Sequence, residues 1–346
     1  MVTQMSRHAT AMPARDAHPV LDQARAAVAV GYRAAVGRLP AEIRHVAGYH
    51  AGWWDADGAA LDGGGKALRP ALALCCARAA GAASPAAALA AAVAVEVMHD
   101  FSLLHDDVMD GDRTRRHRPT AWVVFGVSQA ILAGDALIAL AMEQAAQVPG
   151  GGGAVLSLAL VDLCAGQCAD ITFERRDQVT ISECVDMADG KTGALLGAAC
   201  ELGALAGGAD AATAGRYRQF GRHLGIAFQL VDDDLGIWGD PQRTGKPVGA
   251  DLAARKRSLP VVAALASGTP AGDLLAGVYR RDEPLDEEAV TYATALVEAA
   301  GGRSWARAEA ARRVELAHAA LDATRPDEEA AADLRALAAL VTRRDH

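Results

Sequence analysis

Residues 86–104 are apolar nearly all the way round a helix, and the chain then runs directly into Asp106, Asp107 and Asp110. A helix without a polar face belongs in the middle of a fold, with other helices packed around it. Three carboxylates at the end of such a helix repel one another and are poorly solvated unless a cation joins them. Asp106 and Asp110 are four residues apart and project from one helix face. Oxygen ligands paired in this way suit magnesium, which often shares its coordination with substrate phosphates. Taken alone, the motif is also compatible with an ordinary acidic helix end facing water.

The rest of the chain reads as helix too. Of its 346 residues 51% are hydrophobic but only 4% aromatic, so the apolar content is chiefly Ala, Leu and Val, which favours helices over a β-sandwich. Helical spacing runs through 154–173, 182–205 and 214–237, with the glycines at 150–153 expected to form a tight surface connection. There is no βαβ alternation, internal repeat or shift in composition. The expectation is one all-α domain over 21–346 behind a flexible leader over 1–20.

A net charge of −9 argues against nucleic acid as a partner and leaves room for a small polyanion held by a local basic cluster. The six cysteines form no CxxC pair and read as small buried hydrophobes. The apolar runs after Pro70 and from Ala121 are interrupted by Arg78, Pro85 and Asp135, so no membrane span is expected and the protein reads as cytoplasmic.

A second acidic cluster, Gln229-Leu230-Val231-Asp232-Asp233-Asp234, again follows an apolar helical stretch. Two such clusters facing one another could hold several metal ions between them. The candidate ligands are therefore Asp106, Asp107, Asp110, Asp232 and Asp233. Cations stand beside every acidic or glycine-rich motif: Lys66 and Arg69 after the glycines at 63–65, then Arg115 and Arg116, Lys191, Lys246 and Lys256. In an acidic protein this placement points to a diphosphate site.

These motifs and their order resemble the polyprenyl synthetase family, the trans-isoprenyl diphosphate synthases. The match runs from Asp106-Asp107-Val108-Met109-Asp110 with Arg115-Arg116, through Gly134-Asp135, Gly166-Gln167, Asp170 and Lys191-Thr192-Gly193. It continues through Phe228-Gln229-Leu230-Val231-Asp232-Asp233 to Lys246, Asp251 and Lys256. The resemblance implies an all-α bundle of about ten to fourteen helices around a central cavity, of the isoprenoid synthase type. It implies magnesium, as three ions bound with the allylic diphosphate, held by Asp106 and Asp110 on one side and Asp232 on the other. Arg115, Lys191, Lys246 and Lys256 would hold a dimethylallyl, geranyl or farnesyl diphosphate. Lys66, Arg69, His99 and Arg116 would hold isopentenyl diphosphate, and Thr192 and Gln229 would offer oxygen dipoles to the developing cation. A homodimer is the family's common state.

Phe101 and Ser102, five and four residues before Asp106, are the expected chain-length positions. The first motif lacks the two-residue insertion of bacterial farnesyl-type enzymes, so the resemblance implies a C20, geranylgeranyl-type product, with C15 as the alternative. A class I terpene cyclase and a non-catalytic partner subunit are the competing readings. Three positions depart from the family pattern: Ala67, where Arg is frequent; His117, where Gly is frequent; and Gly236, where the second motif ordinarily ends in Asp.

Overall fold

The structure is a computed structural model that describes residues 15–61, 63–81, 84–240, 248–280 and 284–342. Its helices are α1 (His18–Gly37), α2 (Ala41–His50), α3 (Leu68–Ala79), α4 (Pro85–Met109), α5 (Ala121–Phe125), α6 (Val127–Ala145), α7 (Gly152–Phe173), α8 (Ile181–Ala188), α9 (Ala194–Ala206) and α10 (Ala211–Trp238). After these come α11 (Ala250–Ala253), α12 (Leu259–Leu265), α13 (Pro270–Tyr279), α14 (Glu287–Ala299), α15 (Gly302–Asp322) and α16 (Glu328–Thr342). Thirteen of these, among the described residues, have eight residues or more. A short hairpin, β1 (Thr114–Arg115) with β2 (Arg118–Pro119), is the one sheet among the described residues.

The apolar run becomes α4, and it lies where its composition requires, with α1, α3, α6 and α9 around it. Ser84 starts it by accepting a hydrogen bond from Ala87 N at 3.2 Å, with Pro85 in the first turn, where a missing N–H costs nothing. Every residue of α9 is buried, and α10 packs along both α9 and α15. Short side chains let these helices approach closely. A Cβ on Gly203 would overlap the Ala73 carbonyl oxygen of α3, and one on Gly221 would overlap that of Leu196 in α9.

Three expectations change. First, α1 begins at His18, inside the stretch read as a leader, while residues 1–14 lie outside the described residues. Second, the helical stretch over 182–205 is interrupted by a π-turn, Asp189–Gly193, for reasons given below. Third, Cys75, Cys76, Cys184 and Cys200 are buried but Cys164 and Cys168 are exposed on α7. The same helix qualifies the expectation of no membrane span, which weighed two other runs. By length and composition α4 and α7 are each long and apolar enough to cross a membrane; 78% of the apolar window is buried in α4 but only 28% in α7. The apolar surface of α4 is thus used by the core, and that of α7 mostly is not.

Candidate active site

The first acidic motif sits at the end of α4, and its three carboxylates have three environments. Asp110 caps the helix and is exposed, Asp106 is half-buried, and Asp107 is buried. Arg115 donates from Nε to Asp107 Oδ1 at 2.7 Å, which ties the hairpin back to the helix it follows. Asp107 Oδ2 is buried and has no partner. Burial pushes Asp106 up to about 6 despite the nearby Lys191 cation, and it raises Asp107 and Asp110 as well. This group is short of positive charge.

The hairpin turn explains one departure from the family pattern. Arg116 and His117 have φ of +52° and +61°, so both occupy the left-handed region that a two-residue hairpin turn of this hand requires. Glycine suits that position without strain, and His is one of the residues that tolerates it. Ala67, the second departure, also has a positive φ, +54°, where the glycine-rich loop enters α3. The hairpin is pinned from both sides. Thr120 Oγ1 and Trp122 Nε1 each donate to the Asp112 carbonyl at 2.8 Å, while Tyr49 OH donates to the Pro119 carbonyl at 2.7 Å.

Between α2, the glycine-rich loop and this hairpin lies a cavity of about 210 Å³, lined by His50, Gly63, Gly64, Asp107, Arg115 and Arg116 among others. Arg116, expected to hold isopentenyl diphosphate, and Arg115, expected to hold the allylic diphosphate, both line it. Burial together with Arg69 and Arg116 depresses His99 well below the ordinary imidazole range, so His99 is neutral and can serve as a hydrogen-bonding group. His50, which carried no signal in the sequence, is held down to about 3 by burial and by Arg115, Arg116 and Arg118. Lys66 is exposed in the loop ahead of α3.

Sequence reading also missed the acids behind this basic group. Tyr32 of α1 donates to Asp100 Oδ2 at 2.7 Å, and burial with Asp100 beside it raises Glu96 to about 7. Gly65 lies against both Glu96 and Arg116: a Cβ there would stand 3.2 Å from Glu96 Oε1 and 3.4 Å from Arg116 Nη2. Glu96 and Asp100 are one turn apart on α4, a spacing visible in the sequence, but their meaning depended on what faces them. A larger cavity of about 360 Å³ beside α1, α3 and α4 is walled chiefly by apolar side chains. Among the described residues its one cation, Arg78, is paired with Asp333 at 2.5 Å.

The other wall of the site is built around the π-turn. Lys191 donates to Asp170 Oδ2 of α7 at 2.6 Å, and the Thr192 hydroxyl donates to Gln229 Oε1 of α10 at 2.8 Å. Three glycines allow these backbones to touch. A Cβ on Gly166 would overlap the Lys191 backbone nitrogen, one on Gly190 would stand 2.8 Å from the Asp162 carbonyl, and one on Gly225 would stand 2.5 Å from Gly193 Cα. The wider π-turn presents Lys191 and Thr192 between α7 and α10, as π-turns at functional sites often do. Gly166→Ala is therefore expected to cost about 1–3 kcal/mol of stability, the usual penalty of overpacking, and to lower kcat by displacing Lys191. Urea denaturation and steady-state kinetics check both effects.

The second acidic motif separates into three roles. Asp232 is exposed. Asp234 faces away, taking Arg303 at 3.1 Å and Arg307 at 3.2 Å from α15. Asp233, expected as a metal ligand, is 2% exposed, and both its oxygens accept from protein donors: Gln229 Nε2 at 2.8 Å and Leu259 N at 2.9 Å. In this arrangement Asp233 orients Gln229 and through it Thr192. Burial would lower the Lys256 ammonium, but Asp233, Asp251, Asp170 and Asp232 outweigh it and raise the group. Lys256 also lowers Asp110 from across the site, so the two motifs share one electrostatic space. Lys246 lies outside the described residues.

Among the described residues no three His, Cys, Asp or Glu side chains are close enough to hold a metal ion unaided. That suits magnesium, which takes one or two carboxylates and completes its shell with phosphate and water. The orphaned Asp107 oxygen and the raised Asp106 and Asp110 fit the binding of a divalent cation at this place.

An all-α cavity with acidic motifs on two walls and cations beside each is the frame of a prenyl diphosphate enzyme. Comparison with known proteins agrees: the polyprenyl synthetase family matches residues 58–297, and the chain belongs to that family of prenyltransferases. It is 45% identical over 340 residues to a geranylgeranyl diphosphate synthase of Mycobacterium tuberculosis, covering 96% of each chain. It is 46% identical over 306 residues to a (2E,6E)-farnesyl diphosphate synthase of Mycobacterium bovis, covering 86% of this chain and 84% of that one. The crystal structure of a polyprenyl synthetase from Streptomyces coelicolor superposes with a TM-score of 0.89 at 46% identity, covering 94% of this chain and 99% of the other. A geranylgeranyl pyrophosphate synthase from Corynebacterium glutamicum, complexed with isoprenyl diphosphate and magnesium, superposes with a TM-score of 0.79 at 26% identity, covering 95% and 100%.

Proposed function

We propose that the chain condenses isopentenyl diphosphate with an allylic diphosphate, in the presence of magnesium, to give all-trans geranylgeranyl diphosphate. The observation that carries the reading is that Lys191, paired with Asp170 at 2.6 Å, and Lys256 both act on Asp110 of the first motif, which supports a single diphosphate site between the two motifs. Asp106, Asp110 and Asp232 would hold magnesium, which when bound neutralises charge growing on the departing diphosphate. Arg115, Lys191 and Lys256 would orient that diphosphate and share its charge. Lys66, Arg69 and Arg116, with neutral His99, would hold isopentenyl diphosphate on the cavity side. The Thr192–Gln229–Asp233 chain ends on the Leu259 backbone, so the Thr192 oxygen is fixed by three successive hydrogen bonds. Fixed oxygen dipoles of this kind stabilise a carbocation without trapping it as a full charge would. The double bond of isopentenyl diphosphate attacks the allylic carbon, and the released diphosphate accepts the proton. Incubating the purified chain with each allylic starter, isopentenyl diphosphate and magnesium, then separating the products, tests this; no elongation with any starter would overturn it.

Chain length rests on Phe101. Its ring meets His105 edge-on at 4.9 Å, and His105 Nε2 hydrogen-bonds the Ile131 carbonyl at 3.1 Å, filling the space that Gly134 leaves open. Ser102 is turned onto its own helix, donating to the His99 carbonyl at 2.8 Å. A buried ring backed by a second ring makes a firm stop, whereas Ser102 adds little bulk. Phe101→Ala is expected to yield products longer than C20; an unchanged product would remove Phe101 from the floor.

The reading extends to a homodimer. Val127, Ile131 and Leu132 on α6 and Leu158 and Val161 on α7 are exposed large hydrophobics on adjacent helices. A second copy presenting the same face would cover them. The double variant Leu158→Glu, Val161→Glu is expected to sediment as a monomer where the parent chain sediments as a dimer.

A further inference from the structure

The π-turn that carries Lys191 and Thr192 is gripped at two points by α10. Arg222 Nε donates to Asp189 Oδ1 at 2.9 Å, and Arg222 Nη2 pairs with Asp189 Oδ2 at 2.9 Å. The third nitrogen, Nη1, donates to Asp162 Oδ2 of α7 at 2.9 Å. Asp189 is the first residue of the π-turn, and its carboxylate lies along the turn to the last. A Cβ on Gly193 would stand 2.5 Å from Asp189 Oδ1. Gly197, one turn further on in α9, leaves room for the arginine stem, since a Cβ there would stand 2.7 Å from Arg222 Cγ. The second grip is Gln229, whose Oε1 accepts from Thr192. Arg222 and Gln229 are seven residues apart on α10, two helical turns, and so share a face. One guanidinium thus joins α10, the start of the π-turn and α7.

We propose that Arg222 is a positioning residue for prenyl transfer, fixing the π-turn so that Lys191 and Thr192 stand where the allylic diphosphate ionises. A single ion pair this open to water would add little to stability. The planar fork does something else. It engages both oxygens of one carboxylate, and so fixes the direction of Asp189 as well as its distance. Lysine at this position would supply the charge without the fork. The effect belongs to the allylic side of the site. Arg69 and His99, assigned to isopentenyl diphosphate, stand on α3 and α4, and Arg116 stands at the hairpin turn. This inference rests on the roles of Lys191 and Thr192 proposed above.

The test is steady-state kinetics of the full-length protein with geranyl diphosphate, isopentenyl diphosphate and magnesium. Arg222→Met keeps the stem and removes the fork. It is expected to lower kcat about ten- to a hundredfold, the scale on which a small misplacement of a reacting group acts. The KM for geranyl diphosphate should rise, while that for isopentenyl diphosphate stays at the parent value. Arg222→Lys should recover part of the loss. Asp189→Asn should behave as Arg222→Met does, and the double variant should be no slower than either alone, because all three break one contact. Parent kinetics in Arg222→Met, or a rise in both KM values alike, would overturn the inference. So would a fall in kcat with both KM values unchanged, which marks loss of folded protein, or a double variant whose loss is the product of the two single losses. Lys191→Ala is the control. If it turns over as the parent does, the reading of Lys191 itself fails; if it loses activity while Arg222→Met keeps it, only the role of Arg222 fails.

Discussion

Asp106→Asn is expected to lower kcat about a thousandfold while leaving the helical circular dichroism unchanged. Asp106 is half-buried on the site face of α4, beside Asp110 and in the field of Lys191. An amide keeps its shape but not its charge, so the pull on magnesium at this corner is lost. Such a metal contributes several kcal/mol of charge stabilisation in the transition state, and about 4 kcal/mol corresponds to three orders of magnitude in rate. The pH dependence has the same origin. Burial raises Asp106 to about 6 in the metal-free protein, so the group is ionised above that value and protonated below it. Mg²⁺ affinity should accordingly fall as pH drops through 6, and less steeply in Asp106→Asn, where the raised Asp110 still titrates. Calorimetry at a series of pH values for both proteins measures it.

The second expected result concerns two neighbouring acids with opposite consequences. Asp232→Ala should abolish turnover with little change in stability, because Asp232 is exposed. Asp233→Ala should lower the melting temperature as well. It removes the acceptor of both Gln229 Nε2 and Leu259 N. Two buried donors losing their acceptor at about 1–3 kcal/mol each come to roughly 3 kcal/mol, or about 4 °C for a chain of this length. Activity falls here too, but through Thr192 and Gln229 losing their anchor. Asp233→Asn should recover part of the stability, since its amide oxygen can still accept one of the two bonds. Paired melting and kinetic measurements separate the two residues; equal melting temperatures for Asp232→Ala and Asp233→Ala would refute the division of roles.

The helices were legible where the pattern is long and periodic. α4 and α10 end within a few residues of their expected limits, because an unbroken apolar stripe admits few alternatives. The π-turn was not legible. Gly190 and Gly193 read as ordinary helical glycines until α7 and α10 are seen to press on them. The candidate site shows the same divide. Asp106, Arg115, Lys191 and Asp232 are recognisable from their spacing, whereas His50 and Tyr32 have no local signature and Glu96 only its spacing from Asp100, and all three matter through the residues across from them.

The sequence by itself determined the helical class, the two acidic motifs and the cations beside them. Each of these is written in residues near one another along the chain, where helical periodicity alone sets which of them share a face. Only the tertiary structure decided which acid does what. Asp232, Asp233 and Asp234 are consecutive and chemically identical, yet Asp232 is exposed and acts on Lys256, Asp233 holds the Leu259 backbone and Asp234 takes the arginines of α15. Gly236, the third departure from the family pattern, lies against the Asp251 carboxylate, fifteen residues further on. The physical reason is that a carboxylate's role is set by burial and by the donors around it, and those come from distant parts of the chain.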